Sequence, residues 1–390
     1  KAFLDLRGEQ ERHSAMLMLR QELSDRAELF LDTRFSTRES DRRTAQLRLD
    51  LTVPDTNPFF VDPTGTGLTS IVIDNYNFVH DIGPARNFGD TESFSAITGV
   101  TIDIGNDWQG EFSALYAKED YESIISNFPD AAAVAVALAD PNPLTAFNPF
   151  ADGSNTSQST LDSIRVPVSQ RATSESDYLE FQAAFNGALF AIPGGDISMA
   201  NGIQYREEDH RNGVSTAADG VTGSRDVFSV YAEVFIPLVG ERNSRTGIRR
   251  LEVSLAGRYD DYSDVGDTTN PKIGVLWSPS DSLDFRASWG TSFKVPSFAD
   301  LNDSPNNFNF DAYAPFFAAP AIFQFGGNGS LKPETGETWS AGFGFSSERL
   351  PGFSLEMNYF DIHFEDRIAN AGLTVFNFLD PRFESLVTLN

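Results

Sequence analysis

The connections between the strand-like segments of this chain are of two kinds, and the two kinds take turns. Leu283, Phe285, Ala287 and Trp289 alternate with Asp284, Arg286, Ser288 and Gly290, the period-two pattern of a strand with one apolar and one polar face. The same pattern runs through Trp108 to Tyr116, Leu179 to Asn186, Phe228 to Ile236 and Leu251 to Asp260. Short polar links sit at residues 24–26, 105–107, 193–196, 279–282 and 348–352, with a longer one at 240–247. The others are mostly long, at about residues 39–90, 121–176, 209–225, 263–270, 296–332 and 369–390. Six short links imply about twelve strands in hairpins. A sandwich or propeller has no reason to sort its loops by length at alternate ends. An outer-membrane barrel does, with short turns at one end, long loops at the other and apolar-out, polar-in strands of about ten residues.

Composition bounds the alternatives. No segment approaches the roughly 20 apolar residues of a membrane helix, and the longest small apolar run is Ala131 to Ala139. That excludes helical spanning and leaves strand spanning open. The net charge of −27 argues against a nucleic-acid partner, because phosphate binding needs clustered cations. The chain has no cysteine, and its four histidines (His13, His80, His210, His363) are scattered. There is no H-E-x-x-H, G-x-S-x-G, P-loop or G-x-G-x-x-G signature. The expectation is therefore a protein that is not an enzyme, with no metal and no cofactor. A large soluble β-protein with one wet face remains the alternative.

Energy sets which face meets lipid. A cationic residue on the lipid side at mid-membrane costs roughly 2–4 kcal/mol, so Glu111, Glu180, Glu252, Arg258, Asp284 and Arg286 belong to the lumen parity. Leu283, Phe285, Ala287, Trp289 and Phe293 then face lipid, and Ser288, Ser292 and Lys294 face inward. Trp108, Trp277 and Phe353 adjoin short turns, whereas Tyr116, Tyr205 and Tyr259 fall near the opposite strand ends, as two interfacial aromatic belts require. Residues 71–82 read as another strand, but a traverse there would put the long 121–176 connection on the short-turn side. They are expected instead as a wall extension or a hairpin within an outer loop.

Three neighbouring blocks carry a resemblance: TNPKIGVLWSP from Thr269, LDFRASWGTSFKVPSFADL from Leu283, and GSLKPETGETWSAGF from Gly329. They resemble the TonB-dependent outer-membrane receptors, in which a Pro-Lys-x-Gly strand precedes a Phe-Arg-Ala-Pro-Ser exit and Leu-Lys-Pro-Glu opens the next strand. Here Lys294-Val295 stands for the commoner Arg-Ala. Asn148-Pro-Phe-Ala-Asp-Gly-Ser in the second long loop is also similar to loops of that family. The resemblance implies an all-β, transmembrane antiparallel β-barrel, with about twelve strands present of a 22-stranded whole whose lumen is closed by a plug. Residues 1–390 would then be part of a single barrel domain, lacking the plug, the first few strands and the last several.

The implied function is TonB-energised uptake of a scarce nutrient, such as an iron-siderophore complex or an oligosaccharide, across the outer membrane of a Gram-negative bacterium. The implied partners are outer-membrane lipid, TonB acting through the plug, and the small-molecule nutrient. A passive porin-like diffusion channel and a surface adhesin or β-scaffold are the competing readings. For ligand contact the candidates are Phe308, Phe310, Tyr313, Phe316, Phe317, Phe323 and Phe325 in the loop 296–332, since rings in an outer loop can stack on a cargo. The candidate plug-facing lumen set is Glu111, Arg206, Glu208, Arg258, Arg286 and Lys294. Asp260, Asp261, Asp264 and Asp267 offer oxygen ligands that calcium accepts, but without EF-hand spacing they read better as a solvated loop.

Overall fold

The structure, a computed structural model, describes residues 4–151, 155–215, 220–302, 327–347 and 351–369, together with the backbone of 306–310 and 321–325. In chain order its elements are β1 Glu9–Ser24, β2 Ala27–Thr44, β3 Arg48–Pro54, β4 Ser70–Asn77, β5 Ala85–Gly105, β6 Trp108–Ser126, β7 Phe128–Pro129, α1 Ala131–Ala139 and α2 Gln158–Ser163. There follow β8 Arg165–Val166, β9 Gln170–Ile192, β10 Gly195–Val214, β11 Thr222–Val239, β12 Arg250–Tyr262, β13 Gly266–Ser280, β14 Leu283–Lys294, α3 Phe298–Leu301, β15 Asn306–Phe310, β16 Ala321–Phe325, β17 Glu334–Ser346 and β18 Ser354–Glu365.

Twelve of these strands form one sheet in the order β1-β2-β5-β6-β9-β10-β11-β12-β13-β14-β17-β18. Every strand pairs antiparallel with the strand before and after it in that order, so the sheet is a meander whose hairpin turns are the six short links. The Asn106-Asp107 turn between β5 and β6 has φ values of 55° and 61°. Two consecutive left-handed residues make the turn that matches strand twist, and Asn and Asp tolerate it best after glycine.

Register assigns the two faces. Phe285 lies opposite Trp277 and Phe343, and Trp289 lies opposite Ile273 and Trp339. The same parity carries Leu255, Val230, Ile203, Phe181, Phe112 and Leu29 around the sheet. These side chains are open: Phe181 is 50% exposed, Ile203 51% and Leu255 42%. An aqueous surface would not carry such a continuous apolar stripe, whereas lipid covers it. On β6 the stripe runs from Trp108 to Tyr116, eight residue steps, or about 27 Å along the strand and about 21 Å of height at a tilt of about 40°. That is close to the ~25 Å apolar band of outer-membrane barrels. The Trp108 and Trp277 indoles at its lower edge donate to the carbonyls of Ala188 (2.7 Å) and Gly247 (3.0 Å). At the upper edge the Tyr116 hydroxyl donates to Asp177 (2.9 Å), and that of Tyr205 to Glu207 (3.0 Å) and Asp226 (3.2 Å).

The strands outrun this band. Above Tyr116 the outward parity continues as Lys118, Asp120 and Glu122, opposite Asp177, Glu175 and Thr173 of β9, with ion pairs such as Arg171–Glu122 at 2.8 Å. Two connections expected to be long are therefore mostly strand. β10 and β11 extend to Val214 and Thr222, and β12 and β13 leave only residues 263–265 between Tyr262 and Gly266. Once both faces are polar the period-two hydropathy signal vanishes, yet the backbone ladder continues.

Two of the remaining outer connections, β2 to β5 and β6 to β9, fold together. β4 pairs with β3, not with the membrane-level strands, so residues 71–82 contribute a hairpin within an outer loop. Leu51, Val53 and Phe78 from the first long loop pack with Val134, Leu138, Phe147, Leu161 and Ile164 from the second in one buried cluster. Phe78 and Phe147 stack with centroids 5.8 Å apart. The buried Asn57 amide donates to the carbonyls of Leu138 (2.8 Å) and Phe147 (3.1 Å), which satisfies two carbonyls at the junction. We refer to this unit as the cap.

Candidate functional site

The parity opposite the apolar stripe is polar, and on β9 to β12 it is knitted together. Gln182 donates to the Tyr231 hydroxyl at 3.1 Å, and Tyr231 lies so close over Gly202 that a Cβ there would meet the hydroxyl at 2.5 Å. Arg258 sits 5.7 Å over the Tyr231 ring and donates to Gln204 at 2.7 Å and to Asp260 at 2.8 Å. Asp260, only 1% exposed, also accepts from Ser229 at 2.6 Å. A buried carboxylate is tolerable only with such partners.

Nearer the outer rim the network grips the chain beyond β14. Arg206 donates to Glu208 at 2.7 Å and to the Tyr262 hydroxyl at 2.9 Å. Arg225, 4% exposed, bonds Asp264 through Nε and Nη2 at 3.0 and 2.7 Å, and donates to the carbonyl of Pro296 at 3.0 Å. Its guanidinium lies 4.5 Å from the ring centre of Phe298, whose other neighbour is the stacked imidazole of His210 at 6.2 Å. Pro296 lacks an N–H and so fits where a strand leaves its sheet; here its carbonyl is also the anchor. α3 opens with a reciprocal cap in which Ser297 Oγ accepts from Asp300 N at 3.2 Å and the Asp300 carboxylate accepts from Ser297 N at 2.9 Å and from Ser297 Oγ at 2.7 Å. That hydroxyl contact holds the Asp300 carboxyl below the usual carboxylate range. The far end returns to the same place, with Gly327 N donating to Asn302 O and Asn328 N to Asp300 O, both at 2.6 Å.

The sequence-predicted residues fall as follows. Arg206, Glu208 and Arg258 come together in this network. Arg286 shares their parity and pairs with Glu356, and Lys294 continues the alternation and pairs with Glu334 at 3.7 Å. Glu111 lies on the same face but apart, opposite Thr101 and Ala184. Phe293, expected toward lipid, instead packs edge-on against Tyr262 at 5.8 Å. β14 stays paired with β13 only as far as Gly290, so Phe293 is held by β17 alone, opposite Thr335, and its β13 side is open. Asp260 and Asp264 serve Arg258 and Arg225, whereas Asp261 and Asp267 lie opposite one another on the outward parity; the four do not converge on one point. Tyr313, Phe316 and Phe317 lie outside the described residues. For Phe308, Phe310, Phe323 and Phe325 the backbone alone is described, with Phe308 opposite Phe323 in the β15–β16 hairpin. Sequence reasoning missed Arg225, Tyr231, Tyr262 and Phe298. Carrying the alternation of β11 back from Phe228 would have placed Arg225 on the polar face.

Residues 26–384 match the family described as TonB dependent receptor-like, beta-barrel. The chain belongs to this family. Its polar face is therefore the lumen of an outer-membrane-type barrel, and its apolar stripe is the lipid face. A curated relative is the vitamin B12 transporter BtuB of Vibrio vulnificus (strain YJ016), 28% identical over 172 residues, which are 44% of this chain and 23% of that protein. Among solved structures, the siderophore receptor PirA from Acinetobacter baumannii superposes with a TM-score of 0.54 at 16% identity, covering 92% of this chain and 43% of PirA. FpvA of P. aeruginosa, solved with heterologous pyoverdines, gives 0.51 at 13% identity, covering 92% and 42%. At such identities these structures speak to the fold. The chain spans less than half the length of each of these relatives.

Proposed function

We propose that the protein is an outer-membrane receptor of a Gram-negative bacterium that captures a scarce small-molecule nutrient, such as a siderophore-bound metal or an oligosaccharide, and passes it inward past a plug worked by TonB. The observation that carries this reading is the anchoring of the aromatic loop. Both of its ends, 296–302 and 327–328, are fixed beside the lumen wall, held by Arg225 and by backbone bonds between the two ends. A loop rooted at the mouth can present Phe308, Phe310, Tyr313, Phe316, Phe317, Phe323 and Phe325 to a cargo entering from outside. Below it, Glu111, Arg206, Glu208, Arg258, Arg286 and Lys294 give the plug a polar seat, and polar contacts can exchange partners with water when the plug moves. No bond of the cargo is made or broken.

The test is uptake of radio-iron presented as a ferric siderophore, and of labelled oligosaccharide, by cells expressing the full-length gene. Uptake of one of them that stops on adding a protonophore or deleting TonB is the expected result. Uptake that continues down its gradient under both treatments would establish a passive channel instead. Replacing Phe308, Phe310, Phe323 and Phe325 by Ser should raise the half-saturation concentration while outer-membrane abundance stays the same.

A further inference from the structure

The lumen wall is not uniform. On β9 to β14 and at the lower end of β1 its arginines are neutralised: Arg20 by Asp32, Arg206 by Glu208, Arg225 by Asp264, Arg258 by Asp260 and Arg286 by Glu356. On the upper half of β1 and β2 they are not. Arg12, Arg34, Arg38 and Arg42 all take the inward parity, and among the described residues none of the four has a carboxylate within ion-pair distance. The polar neighbours opposite them are Ser95 for Arg34, Thr91 for Arg38 and Asn87 for Arg42, all neutral. Arg38 donates only to the Thr91 hydroxyl, at 3.1 Å.

Arg12 and Arg38 lie directly opposite each other, and like charges facing across an antiparallel pair destabilise it. The chain offers its own control. Arg43 and Arg86 also face each other across β2 and β5, on the outward parity, but there Asp5 bonds Arg43 at 2.6 Å and Asp41 bonds Arg86. One cationic pair is supplied with carboxylates and the other is left open toward the lumen. Beside it Arg34 borders a depression of about 400 Å³ lined by Ser36, Ser93, Ser95, Glu119 and Tyr178. Glu119, which shares that depression, is bonded by the Ser93 hydroxyl at 3.0 Å, and Asp32, two residues from Arg34 on the same parity, is taken by Arg20. Arg34, Arg38 and Arg42 recur every four residues, or about 13 Å. The stripe can thus be met by anionic groups spread over one cargo, or by several cargo molecules in succession. In a chain of net charge −27 a local cationic wall is where an anion can approach at all.

We propose that the inward upper wall of β1 and β2, built by Arg12, Arg34, Arg38 and Arg42, is a recognition surface for an anionic cargo bearing carboxylate or phosphate groups. This rests on the reading of the protein as an uptake receptor. Guanidinium groups suit both anions through paired N–H donors, and the surrounding hydroxyls accept or donate to the cargo's uncharged oxygens. The experiment is calorimetric titration of the purified full-length receptor with citrate, with inorganic pyrophosphate, and with sorbitol as a neutral comparator. Citrate or pyrophosphate should saturate, and whichever binds more tightly identifies the anion; sorbitol should not bind. Affinity should fall as salt rises.

Arg12→Gln with Arg38→Gln should weaken binding at least tenfold. Arg12→Lys with Arg38→Lys should retain most of it, and Arg43→Gln should leave it within twofold. Heat-modifiable gel mobility reports whether each variant is folded; should the double Gln variant not fold, Arg34→Gln alone must weaken binding at least threefold. Absence of saturable anion binding, wild-type affinity in the folded Gln variants, or an equal loss in Arg43→Gln would overturn the proposal. Anion binding without energised uptake would sink the transport reading alone. Energised uptake without anion binding would sink this wall alone.

Discussion

The cap predicts that two loops far apart in sequence open as one. Phe147, fully buried, stacks on Phe78 of the other loop and meets Tyr76 edge-on at 5.9 Å. Phe147→Ala removes a ring from a closed cluster, a change that costs about 3–5 kcal/mol when the site cannot collapse. At about 1.4 kcal/mol per tenfold, the opening equilibrium of the cap rises roughly a hundredfold to a few thousandfold. Hydrogen exchange of the full-length protein in detergent reads this directly. The amides of Leu51 and Val53, in the β3–β4 ladder and some 95 residues from the substitution, should exchange at least a hundredfold faster. The membrane-level amides of β5 and β6 should not change. Leu144→Ala, at a residue 76% exposed, is the comparator and should have little effect. Acceleration confined to residues 127–169, with β3 and β4 unchanged, would refute the idea of a co-folded unit.

Three further outcomes follow from the same geometry. Arg225→Gln leaves the Asp264 carboxylate without its buried partner, a loss of roughly 3–5 kcal/mol for a buried pair; residues 296–302 should become a site of limited proteolysis while strand protection persists, and retained resistance would remove Arg225 as the anchor. Leu255→Arg places a cation on the lipid face and should cost about 2–4 kcal/mol at mid-membrane, measured as loss of folded barrel in a urea series; Ser254→Arg, one residue away on the lumen parity, should cost under half as much. Asp300 has its carboxyl held low by the Ser297 hydroxyl, so its cap contributes fully above the unfolded carboxyl value and is lost as pH falls through the lower folded value. Exchange at residues 297–302 should therefore rise below about pH 4, and Asp300→Asn should show fast exchange at every pH.

Much of the fold could be read from the sequence because the membrane imposes a two-sided rule. A residue such as Arg286 has one affordable face, and every neighbour at even spacing inherits it; turns such as Gly105-Asn106-Asp107 then fix where each hairpin reverses. The same rule explains what was illegible. Lys118, Asp120 and Glu122 stand above the lipid, where both faces are wet, so hydropathy no longer distinguishes strand from loop although β6 runs on to Ser126. The cap was invisible for a different reason. Phe147 sits in an Asn- and Pro-rich loop and Phe78 at the end of a strand-like run, and nothing local says that the two loops share a core.

The candidate site divides along the same line. Parity alone places Arg206, Arg258 and Arg286 inward, because each lies in a strand whose alternation is strong. It cannot say that Arg258 spends its charge on Asp260 or that Arg206 spends its own on Glu208, since those pairings depend on rotamers within one strand. Nor can it say that Arg12 faces Arg38, because that opposition follows from the length of a turn at Ser24 to Ala27 and from a register shift beside it. One residue more or fewer in that turn would set Arg38 against a neighbouring residue of opposite parity and take Arg12 out of the cationic wall. An insertion of one residue between Asp25 and Arg26 is thus a sharper probe of the wall than charge removal, since it keeps every arginine. If anion affinity survived it undiminished while the barrel stayed folded, opposition of Arg12 and Arg38 would not be what binds.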